Sequence, residues 1–133
     1  MPKLIKGNPR RKPPQPATDH APIDAWLLDI PPAVQPIARG LDESIRNAVP
    51  NLHYAVKFHR AFYGLPEQGW IIEIAAYFKT VNVLFLGGAS FDPPPPSGST
   101  GRTRYVKLTA VEDAQRPDLR AWMSMAGRNP GWT

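Results

Sequence analysis

Cysteine is absent from this chain of 133 residues. Disulfides, zinc–thiolate centres and cysteine nucleophiles are therefore excluded. A domain this small in an oxidising space usually needs disulfide staples, so a reducing, cytoplasmic setting is expected. Long hydrophobic runs are also missing. No stretch approaches the roughly 20 apolar residues of a membrane span, and no membrane partner is expected. The basic N-terminus has no apolar stretch behind it and does not read as a secretory signal. Acidic residues are missing from positions 1–18, which carry Lys3, Lys6, Arg10, Arg11 and Lys12. Those cations account for the whole net charge of +5, because positions 19–133 hold 11 basic and 11 acidic residues. A duplex-binding domain carries its basic stripe on the folded body. Nucleic-acid association is thus expected only weakly, and through the tail.

What the chain has in quantity is proline, 17 residues of it. The opening MPKLIKGNPRRKPPQPATDH has too few large apolar groups to offset its ordering entropy, and reads as a disordered basic leader over residues 1–20. A single domain is expected over 21–128, with a short tail at 129–133 whose Trp132 is placed to fold back. Ile23, Trp26, Leu27 and Ile30 follow helical spacing until Pro31 and Pro32. Val34, Ile37, Ala38, Leu41, Ile45 and Ala48 make the stripe of a second helix, with Asp42, Glu43, Arg46 and Asn47 opposite and Pro50 ending it. Gly40 inside it costs about 1 kcal/mol against alanine.

The period then changes to 2. HYAVKFH reads as a strand with Tyr54, Val56 and Phe58 on one face and His53, Ala55, Lys57 and His59 on the other. GLPEQG reads as a turn. WIIEIAAYF follows, with Trp70, Ile72, Ile74, Ala76 and Phe78 sharing a face. VNVLFL is apolar on both faces, as a central strand is, and only Lys79 and Thr80 separate it from the preceding run, which makes a hairpin. RTRYVKL is a further strand. Leu119, Trp122, Met123 and Ala126 line a closing helix bounded by Pro117 and Gly127. Trp70, Tyr77, Phe85 and Trp122 read as core. Helices around a run of adjacent strands argue for an α+β fold: an antiparallel sheet of four to five strands with N- and C-terminal helices on one face.

The segments ESIRNAVPNLHYAVKF, GWIIEIAAYFKTVNVLFLGGA, GGASFDPPPPSGSTGRTRYVKL and VEDAQRPDLRAWMSMA, in this order, resemble the YdhG-like domain family, small bacterial proteins of largely unknown function. The likeness covers about residues 23–126, and its Gly-Ala, Asp-Pro, Gly-Arg series is the most specific part. It implies an α+β fold with an antiparallel sheet. Some members are described as frataxin-like iron chaperones, so it also implies weak ferrous-iron binding. The residues themselves offer little for that role. Iron prefers carboxylate and imidazole donors, and the dense acidic groups here are two neighbouring pairs, Asp42–Glu43 and Glu112–Asp113, of the kind found on solvated helix faces and in first turns. His53 and His59, on one strand, would stand roughly 20 Å apart. No cofactor is expected, iron being the alternative.

Three chemical readings centre on the loop GGASFDPPPPSGSTGRTRYVKL. GSTGRT resembles the end of a phosphate loop, yet Arg102 stands where lysine is required and a strand follows where a helix should start. Ser90, Ser97, Ser99, Thr100 and Thr103 have no histidine beside them to act as base. The looser reading is an anion site: Arg102, Arg104 and Lys107 with the amides of Gly98 and Gly101 and with Asp92 nearby. Against it stands a purely structural loop, with Arg104 paired to Asp92 or Glu73 and the prolines as a stiff spacer of about 3.1 Å per residue. The expected function is a non-catalytic module binding a small anionic ligand or a protein partner near residues 87–108. A sheet edge at VNVLFL or RTRYVKL would also permit a homodimer.

Overall fold

The computed structural model describes residues 12–99 and 101–133. Helix α1 (Ala21–Asp29) and a short 3-10 turn (Pro32–Val34) lead into α2 (Gln35–Ala48). Five strands follow: β1 (His53–Lys57), β2 (Arg60–Leu65), β3 (Gly69–Ala76), β4 (Val81–Phe85) and β5 (Arg104–Leu108). A 3-10 turn (Val111–Gln115) and α3 (Pro117–Ala126) complete the chain. The sheet is an antiparallel meander in the order β1-β2-β3-β4-β5. This is the α+β architecture expected of the sequence, and β4 lies inside the sheet as its two-sided apolarity requires.

The helices cover one face. Ile23, Trp26 and Leu27 of α1, Ile37, Leu41 and Ile45 of α2, and Leu119, Trp122 and Met123 of α3 join Tyr63, Ile72, Ile74, Val83, Phe85 and Val106 in one core. Each such fully buried side chain contributes about 1.5–3 kcal/mol before entropy is charged. Gly40 has a packing reason. A Cβ there would meet the Ala114 Cβ at 3.1 Å, where the 3-10 turn before α3 lies across α2. The Ser44 hydroxyl completes that contact by donating to the Ala114 carbonyl at 3.2 Å.

Two strand readings need correction. HYAVKFH is not one strand. Phe58 and His59 both take positive φ (56° and 59°) and form a two-residue turn into β2. That turn geometry favours Asn-Gly, so Phe-His carries no sequence signal for it. The second correction concerns Trp70. A bulge shifts the β2–β3 register between Tyr63 and Gly64, pairing Tyr63 with Ile72 but Gly64 with Trp70. The inserted residue turns Trp70 to the face opposite Ile72 and Ile74. Trp70 there joins Ala55, Phe62, Leu86 and Trp132 in a second, smaller cluster. Tyr77, also read as core, is 45% exposed because it begins the β3–β4 turn.

Both termini close on this second face. Ala17 exchanges backbone hydrogen bonds with Tyr54 at 2.9 and 2.7 Å, adding a bridge to the β1 edge. Residues 12–20, assigned by composition to the disordered leader, therefore lie against the body; residues 1–11 fall outside the described residues. Trp132 folds back as its position suggests, exchanging hydrogen bonds with Trp70 at 2.8 and 2.9 Å. At the other edge, Ser97 pairs with Tyr105 of β5 at 3.0 and 3.2 Å. Each edge strand thus carries a short cap at one residue, which blunts edge-to-edge pairing.

Candidate functional site

The loop cations do not converge. Arg104 turns its guanidinium back onto its own loop, donating to the carbonyls of Thr103 (2.8 Å) and Gly101 (3.2 Å). Arg102 approaches the Pro130 carbonyl at 3.4 Å. Lys107 sits near the far end of β5, opposite Asn82, and on the other face from Arg104. Asp92 is exposed, and the pairing expected between Arg104 and Asp92 or Glu73 is not formed. Glu73 is taken by Arg60 at 2.6 Å, because Arg60 is on the adjacent strand and the same face. Burial works against the Arg60 charge, but the hydrogen bond and charge of Glu73 hold its pKa above the ordinary arginine value.

Gly98 and Gly101 both have positive φ (98° and 65°) and shape the loop's return into β5. The proline run is anchored as a connector. Trp122 donates its indole N–H to the Pro93 carbonyl at 2.8 Å, and Phe91 packs on Phe85 in the core. Thr100 lies outside the described residues.

A second polar group forms where sequence reading saw a leader and a solvated helix face. Asp42 is only 5% exposed. Its Oδ1 accepts from the Tyr63 hydroxyl at 2.7 Å and faces the His20 Nε2 at 2.9 Å. The His20 Nδ1 faces Asp24 Oδ1 at 2.9 Å, and Arg46 lies 3.6 Å from Asp42 Oδ2. Burial, reinforced by the Asp42 charge, pushes the Tyr63 phenol well above its ordinary pKa and keeps it a donor. Tyr63 and Asp42 are buried and their polar atoms are committed to one another, while His20 keeps partial exposure. The triad they form is a clamp that fastens the N-terminal segment to α2 and the sheet. The two carboxylates lie at opposite ring nitrogens of His20 and cannot share an ion. Asp113 is likewise committed, accepting from the Thr109 and Ala110 amides at 3.0 and 3.1 Å. Among the described residues no three histidine, aspartate or glutamate side chains gather to hold a metal.

One concavity lies at the opposite end of the sheet from the Phe58–His59 turn. It is a cleft of about 400 Å³ lined by Trp70, Trp132, Pro13, Pro16, Pro66 and His53, with Leu65, Thr133 and two glycines between them. Three devices build it. The bulge turns Trp70 onto the sheet face away from the helices. The Trp70 indole N–H donates to the Pro14 carbonyl at 3.2 Å, which lays the N-terminal prolines along one wall. The C-terminal segment forms the other wall, and two glycines permit its approach. A Cβ on Gly131 would stand 2.0 Å from the Trp70 carbonyl, and one on Gly69, whose φ is +77°, would stand 2.3 Å from the Trp132 carbonyl. Phe62 underlies both indoles, its ring centroid 5.9 Å from Trp70 and 6.2 Å from Trp132. Sequence reading missed this cleft because its walls come from the two tails, which composition alone sets apart from the fold. The one available signal was the aromatic pair Trp70 and Trp132 on segments flanked by glycine and proline.

Comparison with family models, with curated proteins and with solved structures gave no match, so the site is argued from this chain's own residues. Among the described residues no helix is long and apolar enough to cross a membrane.

Proposed function

We propose that the protein is a non-catalytic binding module, and that the cleft between its termini receives a flat apolar ring, aromatic or prolyl, carried by a small ligand or a partner protein. One observation carries this reading. Trp70 already donates its indole N–H to a proline carbonyl of the chain's own N-terminal segment. Aromatic grooves hold proline-rich segments through this kind of contact. The remaining lining is apolar apart from His53 and Thr133, which suits orientation by shape more than by charge. The anionic component expected from the sequence attaches to the same place. Arg102 approaches the Pro130 carbonyl, two residues before Trp132 and outside the cleft lining, so only an acid group extending from the ring past Trp132 would meet this cation. A cytoplasmic setting and a YdhG-like kinship belong to this proposal, and the antiparallel α+β architecture accords with the kinship.

Naphthalenesulfonate, a flat aromatic anion, is a suitable probe. The chain's four tryptophans give four indole N–H signals in a nitrogen-labelled sample. Titration is expected to shift those of Trp70 and Trp132. Trp26 and Trp122 donate to the His59 and Pro93 carbonyls and should stay still. Arg102→Ala should weaken binding without changing which signals move. If the Trp26 and Trp122 signals moved instead, or none moved, the cleft assignment would be wrong.

A further inference from the structure

Two neighbouring hairpins end on the side of the sheet away from the cleft. One turn joins β1 to β2 through Phe58 and His59, and the other joins β3 to β4 through Tyr77, Phe78, Lys79 and Thr80. Because β2 and β3 are adjacent, the turns lie two strand spacings apart, about 10 Å. Exposed apolar surface concentrates there. Phe78 is 75% exposed, Tyr77 45%, Phe58 43% and Val56 38%. These are four of the six exposed large hydrophobic residues among the described residues.

The two turns themselves carry only basic residues, while Glu73 on β3 stands beside them. Positions 57–60 and 77–80 contain Lys57, Arg60 and Lys79, with His59, and no acid. Arg60 is neutralised by Glu73 and reaches the Tyr77 hydroxyl at 3.5 Å, tying the two turns together. The Lys57 ammonium stands 5.2 Å from the centre of the Phe58 ring. Lys57, which also donates to the Lys12 carbonyl at 3.1 Å, and Lys79 flank a row of aromatic tips.

We propose that this end of the sheet is a peripheral docking surface for an anionic lipid bilayer. Aromatic side chains at hairpin tips insert at the level of the headgroups, and the flanking lysines meet the lipid charge. A bilayer fits these observations better than a nucleic acid. A strand-binding platform uses free arginines and a groove, whereas Arg60 is committed to Glu73 and hairpin tips are protrusions. It also fits better than a second copy pairing through the sheet, since both edge strands carry a cap. The surface is independent of the cleft and stands or falls without it.

The test is co-sedimentation of the full chain with vesicles of phosphatidylcholine alone and with added phosphatidylserine. Binding is expected to the anionic vesicles only, and added salt should reverse it. Phe78→Ser removes an already exposed side chain, so the fold survives, and it should weaken binding about tenfold or more. Lys79→Glu should weaken it comparably. Absence of binding to either vesicle overturns the proposal. So does binding that ignores Phe78→Ser but vanishes in Arg10→Glu/Arg11→Glu, which would assign it to the basic leader. Self-association without vesicles that Phe78→Ser abolishes, or retention by single-stranded nucleic acid in place of vesicles, would also overturn it.

Discussion

Removing Asp42 tests whether the buried triad is a clamp. In Asp42→Ala the Tyr63 hydroxyl, inside a fully buried residue, loses the acceptor it holds at 2.7 Å. An orphaned buried hydroxyl costs about 1–3 kcal/mol. The contact with His20 at 2.9 Å is lost as well. A charge-assisted hydrogen bond contributes about 1.5–3 kcal/mol, and the lower end applies because His20 retains some access to water. The sum is about 2.5–4.5 kcal/mol, a large part of the roughly 5–15 kcal/mol that holds a domain together. Tyr63→Phe should cost only about 1 kcal/mol, because Asp42 keeps His20 and Arg46. The double variant should then be less damaged than the two single costs added, by about 1–2 kcal/mol, since no hydroxyl is left orphaned. Urea unfolding of the four proteins at one low temperature measures the cycle. A cost below about 1 kcal/mol for Asp42→Ala, or simple additivity, would refute the clamp.

Two further outcomes follow from the same geometry. Tyr63 has a folded pKa raised above its ordinary value of 10.0. Below that value both states hold the proton and this contribution is fully present. As pH rises past it the unfolded chain ionises first, the folded state then binds more protons, and stability falls. Relative to Tyr63→Phe, wild type should lose up to about 1.4 kcal/mol per pH unit above pH ~10 until the folded phenol titrates; parallel alkaline unfolding curves would contradict this. Gly131→Ala places a Cβ 2.0 Å from the Trp70 carbonyl and should release the C-terminal segment. The Trp70 and Trp132 indole signals should then move together while the global fold persists, at a cost of about 1–3 kcal/mol read from denaturant midpoints; an unchanged Trp132 signal would show that the tail docks otherwise.

Periodicity made most of the body legible. The stripe from Val34 to Ile45, the apolar run Val81 to Leu86 and the closing helix with Leu119, Trp122 and Met123 all bury as spaced. Periodicity failed wherever one residue broke the repeat. The bulge at Ile71 sent Trp70 to the second face, and the Phe58–His59 turn ended a strand without a glycine to announce it. It was also silent on polar burial. Asp42 follows Leu41 on α2 and looks like the start of a solvated face, but Tyr63 across the core needs an acceptor there, a demand only three dimensions reveal.

The loop cations show the converse error. Arg102, Arg104 and Lys107 cluster in sequence, yet strand alternation and strand length separate Lys107 from Arg104, and the tight return into β5 gives Arg104 carbonyls of its own to satisfy. Density of charge along a chain predicts a site only where the backbone keeps those charges on one side. Here the residues that do meet at the cleft, Pro13, Pro16, Trp70 and Trp132, are drawn from both ends of the described chain and from β3 between them. What unites them is the second face of the sheet, which needs a cover because the bulge has turned an indole onto it. The proline-rich segment and the C-terminal tryptophan supply that cover incompletely, and the space they leave is the proposed site.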